Sequence, residues 1–386
     1  MMPFPVCHQR VSAIPRRGTL GSATKVSRCQ SARGTALRAC LKLWSVTAVG
    51  LALPPASLQA EIAYVANVAN ANVSAYRIGA HGSLTSVPGS PFPAGIASIS
   101  VAVDILGRFV YVANFAANSV SAYHIAENGA LMPVSGSPFP AGSSPSAVAV
   151  DHLGRFVYVA NGGDFPAFNG SVSAYRIAEN GSLTPITGSP FPAGRSSSSV
   201  AVDHLGRFVY VANAGSSDVS AYRITENGSL TPVAGSPFAA GSVPISVAVG
   251  RFVCVANQGS NNVSAYHIRE NGALMPVDGS PFPAGMEPTS VAVGRFVYVA
   301  NQSSSNISAY HIDDCGFLTP VAGSPFPAGS FPFAVAVDLS GRFVYVANAG
   351  SNNVSAYRLD DNGSLIPVPG SPFPVGNEPE SVAFSP

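Results

Sequence analysis

Lysine stops at residue 42. Beyond residue 60 there is none, and the body of the chain sets twelve arginines against nineteen acids, a balance of −7. Charged residues make up only 10% of the whole. A faintly acidic body with no lysine and no basic stripe excludes nucleic acid and anionic membrane surfaces as its working partners. Cysteine is as scarce. Cys7, Cys29 and Cys40 fall before residue 60, which leaves Cys254 in place of a recurrent strand tyrosine and Cys315 in place of a recurrent turn asparagine. Such non-equivalent positions predict no bridge between those two. Neither has a His or Cys neighbour at metal-ligand spacing. No His cluster suggests zinc and no Asp-rich loop has calcium spacing. Serine is everywhere, but no Gly-x-Ser-x-Gly elbow is there to activate one. The sequence therefore predicts no metal and no cofactor. Helical periodicity is also missing after residue 60, so the body is not built on helices.

What the first 60 residues do contain is positive charge: Arg10, Arg16, Arg17, Lys25, Arg28, Arg33, Arg38 and Lys42, with no acid. An apolar run from Leu43 to about Leu53 follows, then Pro54-Pro55 and small residues up to Ala60. This order predicts a secretory signal cleaved after Ala60, and with it a secreted or periplasmic protein. About eleven apolar residues before a proline pair are too few to span a bilayer as an anchor. The expected division is a basic leader over residues 1–60 and one domain over 61–386.

Hydrophobic residues (47%), 38 glycines and 33 prolines describe a chain that buries a core and turns often. The turns are periodic. Tyr-Val-Ala-Asn ends at Asn67, Asn114, Asn161, Asn213, Asn301 and Asn348, and Cys-Val-Ala-Asn at Asn257; the intervals are 47, 47, 52, 44, 44 and 47 residues. Each unit holds four strand-like runs, in the last full unit residues 333–338, 342–348, 353–359 and 364–368. Val, Phe, Tyr and Ile dominate them, and Gly, Asn, Asp and Pro separate them. Asn-Gly between the third and fourth runs predicts a two-residue hairpin turn. Seven such units predict an all-β, seven-bladed β-propeller of four-stranded antiparallel blades. The body opens on a second strand, residues 61–67, and stops on a first strand, residues 381–386. The last strand should therefore complete the first blade and close the ring, removing two open sheet edges.

The unit PxSVAVDxxGRFVYVANxxSxxVSAYxI…NGxLxPVxGSPFPAG resembles the YVTN-type propellers. It is similar to the lactonase-type seven-bladed propellers, a group that includes 6-phosphogluconolactonase-like and carboxymuconate-cyclase-like proteins. The resemblance spans nearly all of residues 61–386. It implies a ligand face at one mouth of the channel, carrying the turns between second and third strands and the connections into each first strand. It also implies His, Arg and Glu there to polarise a carbonyl and move protons. The seven connections contain no His; their charges are Arg195, Glu287, Glu378 and Glu380. Arg195 with one of these glutamates is the minimal cation and base pair. His152 and His204 fall in turns expected on the opposite face. His124, His267 and His311 alternate with arginines on the third strands, where exposed surface charge is expected.

Two further candidates remain. The seven asparagines named above could ring the channel mouth with amides for a sugar or polar polymer, or cap their own turns. A five-residue insertion in the third unit adds Asp164, Phe165 and Phe168 to the same face. Aromatics on a loop held by a rigid scaffold suit a contact surface, or fold back as a local lid. These readings favour a binding or interaction module for a small molecule, glycan or protein. A lactonase-like hydrolase and a structural envelope repeat protein are the alternatives. One fold hosts many functions, so the repeated words specify scaffold, and function is to be sought where the repeats differ.

Overall fold

The computed structural model describes residues 61–386. The leader, its apolar run and the cleavage position after Ala60 lie outside the described residues. The described chain is strands and turns with no helix, and no helix there is long and apolar enough to cross a membrane. Seven antiparallel sheets form the blades, and their inner strands touch one another in a closed circle. Closure comes from Pro379–Ser385, which pairs with Ile62–Asn67 in the register Ala66 to Ser381 and Ala63 to Phe384. That is the split blade expected from the two ends.

Blade 2 shows how the words of the repeat become structure. Its strands run outward from the channel as Ser98–Val103, Phe109–Asn114, Ser119–Ile125 and Leu131–Pro133. The second strand is buried at all six positions. Alternation along a strand sends successive side chains to opposite faces. Phe109, Tyr111 and Ala113 therefore pack on Val157 and Val159 of blade 3, while Val110 and Val112 meet Ile62, Tyr64 and Ala66 of blade 1. A bulky face meets a valine face at six seams, and Ala63 with Val65 at the seventh. Each valine so buried contributes roughly 1.5–3 kcal/mol before the entropy of ordering it.

The outer strand continues beyond the four expected runs. After Leu131–Pro133 the chain breaks away and returns as the two-residue strand Phe139–Pro140 on the same third strand. At the break Val134 donates to the Ala122 carbonyl, and the Ala122 N–H donates to Ser137 Oγ. The serine hydroxyl takes the place of a missing strand carbonyl. The same serine does this in all seven blades, which accounts for the repeated Gly-Ser-Pro-Phe.

The Asn-Gly hairpin differs from expectation. Ala126 N–H donates to Ala130 O and Gly129 N–H to Ala126 O, so the loop has three residues, not two. The glycine takes the positive φ there, and the asparagine does not. Asn128 instead accepts the Ala130 N–H through its side chain. This is a type I turn followed by a left-handed residue. The glycine has a second constraint: a Cβ on Gly181 (φ +83°) would lie 2.4 Å from the Phe109 ring of the preceding blade.

All thirteen tyrosines of the chain fasten seams. Each third-strand tyrosine donates to an outer-strand carbonyl of the preceding blade, as Tyr123 does to Pro93. Each second-strand tyrosine donates to a hairpin glycine of the following blade, as Tyr111 does to Gly181. The exception is the seam between blades 5 and 6, where Cys254 stands instead. Cys254 is a free, fully buried thiol, and burial pushes its pKa up to about 12.

Candidate functional site at the channel mouth

Seven connections carry the chain from each outer strand back to the next inner strand, and they share one backbone. Their second residues, Ala97, Ser144, Ser196, Val243, Glu287, Phe331 and Glu378, all take positive φ, between 50° and 56°. Residues with side chains rarely do so, and for Val243 and Phe331 the conformation is strained. It is imposed by the surrounding turn, for the Ala97 and Phe331 carbonyls each receive an N–H from the neighbouring loop. The third residue of each connection is buried.

The fourth residue of each faces the axis. Ile99, Ser146, Ser198, Ile245, Thr289, Phe333 and Glu380 thus form one ring, one residue per blade, around a cavity of about 460 Å³. Phe115, Phe168 and Val335 also line it. The ring hydroxyls are already engaged. Ser146 donates to Ser197 O, Ser198 to Pro244 O and Thr289 to Pro332 O, each in the next blade. The serines one position further on are engaged as well: Ser100 accepts the Val148 N–H and Ser381 the Val101 N–H. These bonds satisfy inner-edge amides that would otherwise be orphaned.

Glu380 is the one titratable side chain among the described residues that line this cavity. It enters no hydrogen bond or ion pair there. Burial, with the neighbouring Glu378 charge in second place, pushes its carboxyl up to about 7. Desolvation disfavours the ionised form, and a like charge adds to the effect.

The other mouth charges stand apart from the lining. The Arg195 guanidinium is exposed and donates from Nε to the Ala167 carbonyl at 3.3 Å. The Glu287 carboxylate accepts the Ser303 hydroxyl. Glu378 is exposed on the rim. The cation and base pair of Arg195 with a glutamate is not assembled in the cavity. The opposite-face histidines lie near each other; burial and the His204 charge hold His152 below its ordinary value.

The asparagines turn inward to the blade. Asn67, Asn114, Asn161, Asn213, Asn257, Asn301 and Asn348 are all fully buried. Each Nδ2 donates to a third-strand serine, as Asn114 does to Ser121 at 2.9 Å, and to a residue two positions before it, as to Ser119. Oδ1 commonly accepts an N–H from the connection, as Asn301 does from Gly285. The amides brace turn against strand and leave the channel to other groups.

The insertion lies on the same rim. Asp164 accepts the Ser143 hydroxyl at 2.7 Å, and the Phe168 N–H returns to the Asp164 carbonyl. Phe168 O accepts the Ser196 N–H. The loop is thereby pinned on both sides. Phe168 lines the cavity, while Phe165 is 82% exposed and stacks edge-on against it at 5.8 Å. Sequence reasoning found this loop and the mouth charges but not the ring of fourth residues. The signal was present, since the fourth connection residue changes in almost every repeat.

The resulting site is a well with a largely apolar surface, one proton-holding carboxyl and an aromatic at its lip. Such a well can exclude water from a small ligand and present it with one charge or one donor. Among curated proteins none matches this sequence. Solved structures align over most of their length. The periplasmic gluconolactonase of Pseudomonas aeruginosa is 21% identical, with TM-score 0.70 over 85% of this chain and 99% of that one. A provisionally assigned 6-phosphogluconolactonase of Bacteroides fragilis is 17% identical, with TM-score 0.74 over 86% and 100%. A Lactobacillus plantarum protein is 19% identical, with TM-score 0.68 over 85% and 99%. At these identities the likeness speaks for the fold. The sequence profile of the lactonase seven-bladed β-propellers matches residues 55–137, 132–231, 184–293 and 289–384, so that the chain belongs to the lactonase family of seven-bladed β-propellers.

Proposed function

We propose that this protein is an extracytoplasmic binding module that takes a small, mostly apolar molecule into the mouth of its central channel. The observation that carries this reading is the ring: seven positions from seven blades, apolar or already hydrogen-bonded except Glu380, whose carboxyl has no partner. The leader composition supports export, and the Pseudomonas aeruginosa neighbour is itself periplasmic. Cell fractionation with mass determination of the mature N-terminus tests that part; a chain beginning at Glu61 is expected.

Lactone hydrolysis is the second reading, favoured by one observation. A carboxyl held near 7 is suited to general-base work. Ring opening also needs donors for the developing oxyanion. Arg195 lies outside the lining, and the ring hydroxyls donate elsewhere, which favours binding. A thermal-shift screen against lactones, sugars, cell-wall fragments and small aromatics separates the two, because a specific ligand raises the melting point by mass action. Small aromatics should raise it. Phe165→Ala with Phe168→Ala should weaken their capture with little change in the melting point of the empty protein. Lactone turnover well above the spontaneous rate, abolished in Glu380→Gln, would establish the hydrolase instead.

A further inference from the structure

We propose that the channel ligand is an organic monocation, a protonated amine on a compact apolar body, with its ammonium group set against Glu380. This inference rests on the binding reading above and names the ligand class. In ring order Glu380 stands between Phe333 of blade 7 and Ile99 of blade 2, so its carboxyl is flanked by apolar side chains on both sides. No side chain of the cavity is hydrogen-bonded to it or paired with it. A ligand that brings its own donor supplies what the protein withholds.

Charge decides the class further. The mouth connections carry Glu287, Glu378 and Glu380 against Arg195 alone, and the Arg195 side chain is tied to Ala167. An anion entering here meets like charge at the rim, and above about pH 7 again in the well. A neutral polyol needs many donors and acceptors, and the ring hydroxyls are spent on neighbouring carbonyls. An ammonium finds a carboxylate, a negative rim that draws cations inward, and the faces of Phe168 and Phe333 for its body or its charge.

The strands packed against Pro379–Ser385 bring two ionisable groups, the phenols of Tyr64 and Tyr345. Burial drives both phenols upward, so they stay neutral at ordinary pH. The charge acting on Glu380 is that of Glu378. At pH 7 the empty site therefore holds a proton about half the time, and below that nearly always. When the amine binds as its ammonium ion, the carboxylic acid releases that proton to solvent and the carboxylate pairs with the cation. Affinity should accordingly fall as the medium turns acid.

Isothermal titration of the purified full chain with 2-phenylethylamine, 2-phenylethanol and phenylacetate, at pH 6 and pH 8, tests this. The amine should bind at least about tenfold more tightly than the alcohol at pH 8, and about tenfold more weakly at pH 6 than at pH 8. The alcohol should be insensitive to pH, and phenylacetate the weakest of the three. In buffers of different ionisation enthalpy at pH 7, the amine should release about half a proton per molecule bound and the alcohol none. Glu380→Gln should erase the preference for the amine and its pH dependence while the alcohol still binds. Should that variant fail to fold, the pH dependence and proton release of the native protein decide. Equal binding of amine and alcohol overturns the cation inference and leaves the binding reading standing. Preference for phenylacetate does the same. Failure of all three to bind removes both.

Discussion

Replacing Glu380 with glutamine should stabilise the protein above neutral pH and leave it unchanged in acid. The free energy follows from the carboxyl, whose ordinary value of 4.5 is raised to about 7 in the folded chain. Below 4.5 both folded and unfolded states hold the proton, and the group has no effect. Between 4.5 and 7 the unfolded chain ionises first, so unfolding releases a proton and stability drops as pH rises. Above about 7 both states are ionised and the full penalty persists. At about 1.4 kcal/mol per pH unit the interval amounts to about 3 kcal/mol at most. Glutamine keeps the shape and carries no such penalty. For a domain this large the unfolding entropy is on the order of 0.7 kcal/mol/K, so the gain in melting temperature is about 4 °C at pH 8. Thermal or denaturant unfolding of both proteins at pH 4, 6 and 8 measures it. The two stability curves should converge at pH 4 and separate steadily above pH 5. A difference that does not vary with pH would falsify the account of Glu380 as a desolvated, proton-holding group.

Two further outcomes follow from the ring. Deleting residues 380–386 strips most of the inner strand of blade 1 and bares the edge of Ile62–Asn67, so the truncated chain should lack a cooperative unfolding transition in calorimetry; a normal transition would mean that closure contributes little. Tyr298→Phe leaves the Gly363 carbonyl without its phenol donor at the seam between blades 6 and 7, and should cost about 1–2 kcal/mol in denaturant unfolding.

The architecture was legible because repetition multiplies weak signals. Seven copies of one strand pattern, offset so that the first blade is split, leave few alternatives to a closed ring. The local turn chemistry was less legible. Asn128-Gly129 reads equally well as a two-residue or a three-residue loop, and the choice follows from where Gly129 must sit against Ile62 of the preceding blade. The role of the repeated tyrosines was hidden, since their partners are carbonyls, and a carbonyl has no letter in the sequence. The site was legible in part. Phe168 stood out as an insertion, and Glu380 as a mouth charge. The ring from Ile99 to Glu380 was not, because its members lie some 45 residues apart and meet only when the blades close. The asparagines from Asn67 to Asn348 left a ligand surface open, although a feature common to all seven repeats already pointed to scaffold; burial and the hydrogen-bonded amides favour the brace.

The closing strand also fixes a timetable. Pro379–Ser385 pairs with Ile62–Asn67, which a ribosome makes about 300 residues earlier. At 5–20 residues per second, the first blade waits on the order of 15–60 s for its inner strand. Throughout that interval the emerging chain has an unpaired edge at its front and cannot lock into its final form. Contacts so distant along the chain also slow folding in general. Under the export proposed above, an unfolded chain gains from such a delay, since its last-made segment is the one that shuts the ring. The same delay leaves an adhesive edge open, and newly made copies sharing it are prone to pair with one another before each finds its own end.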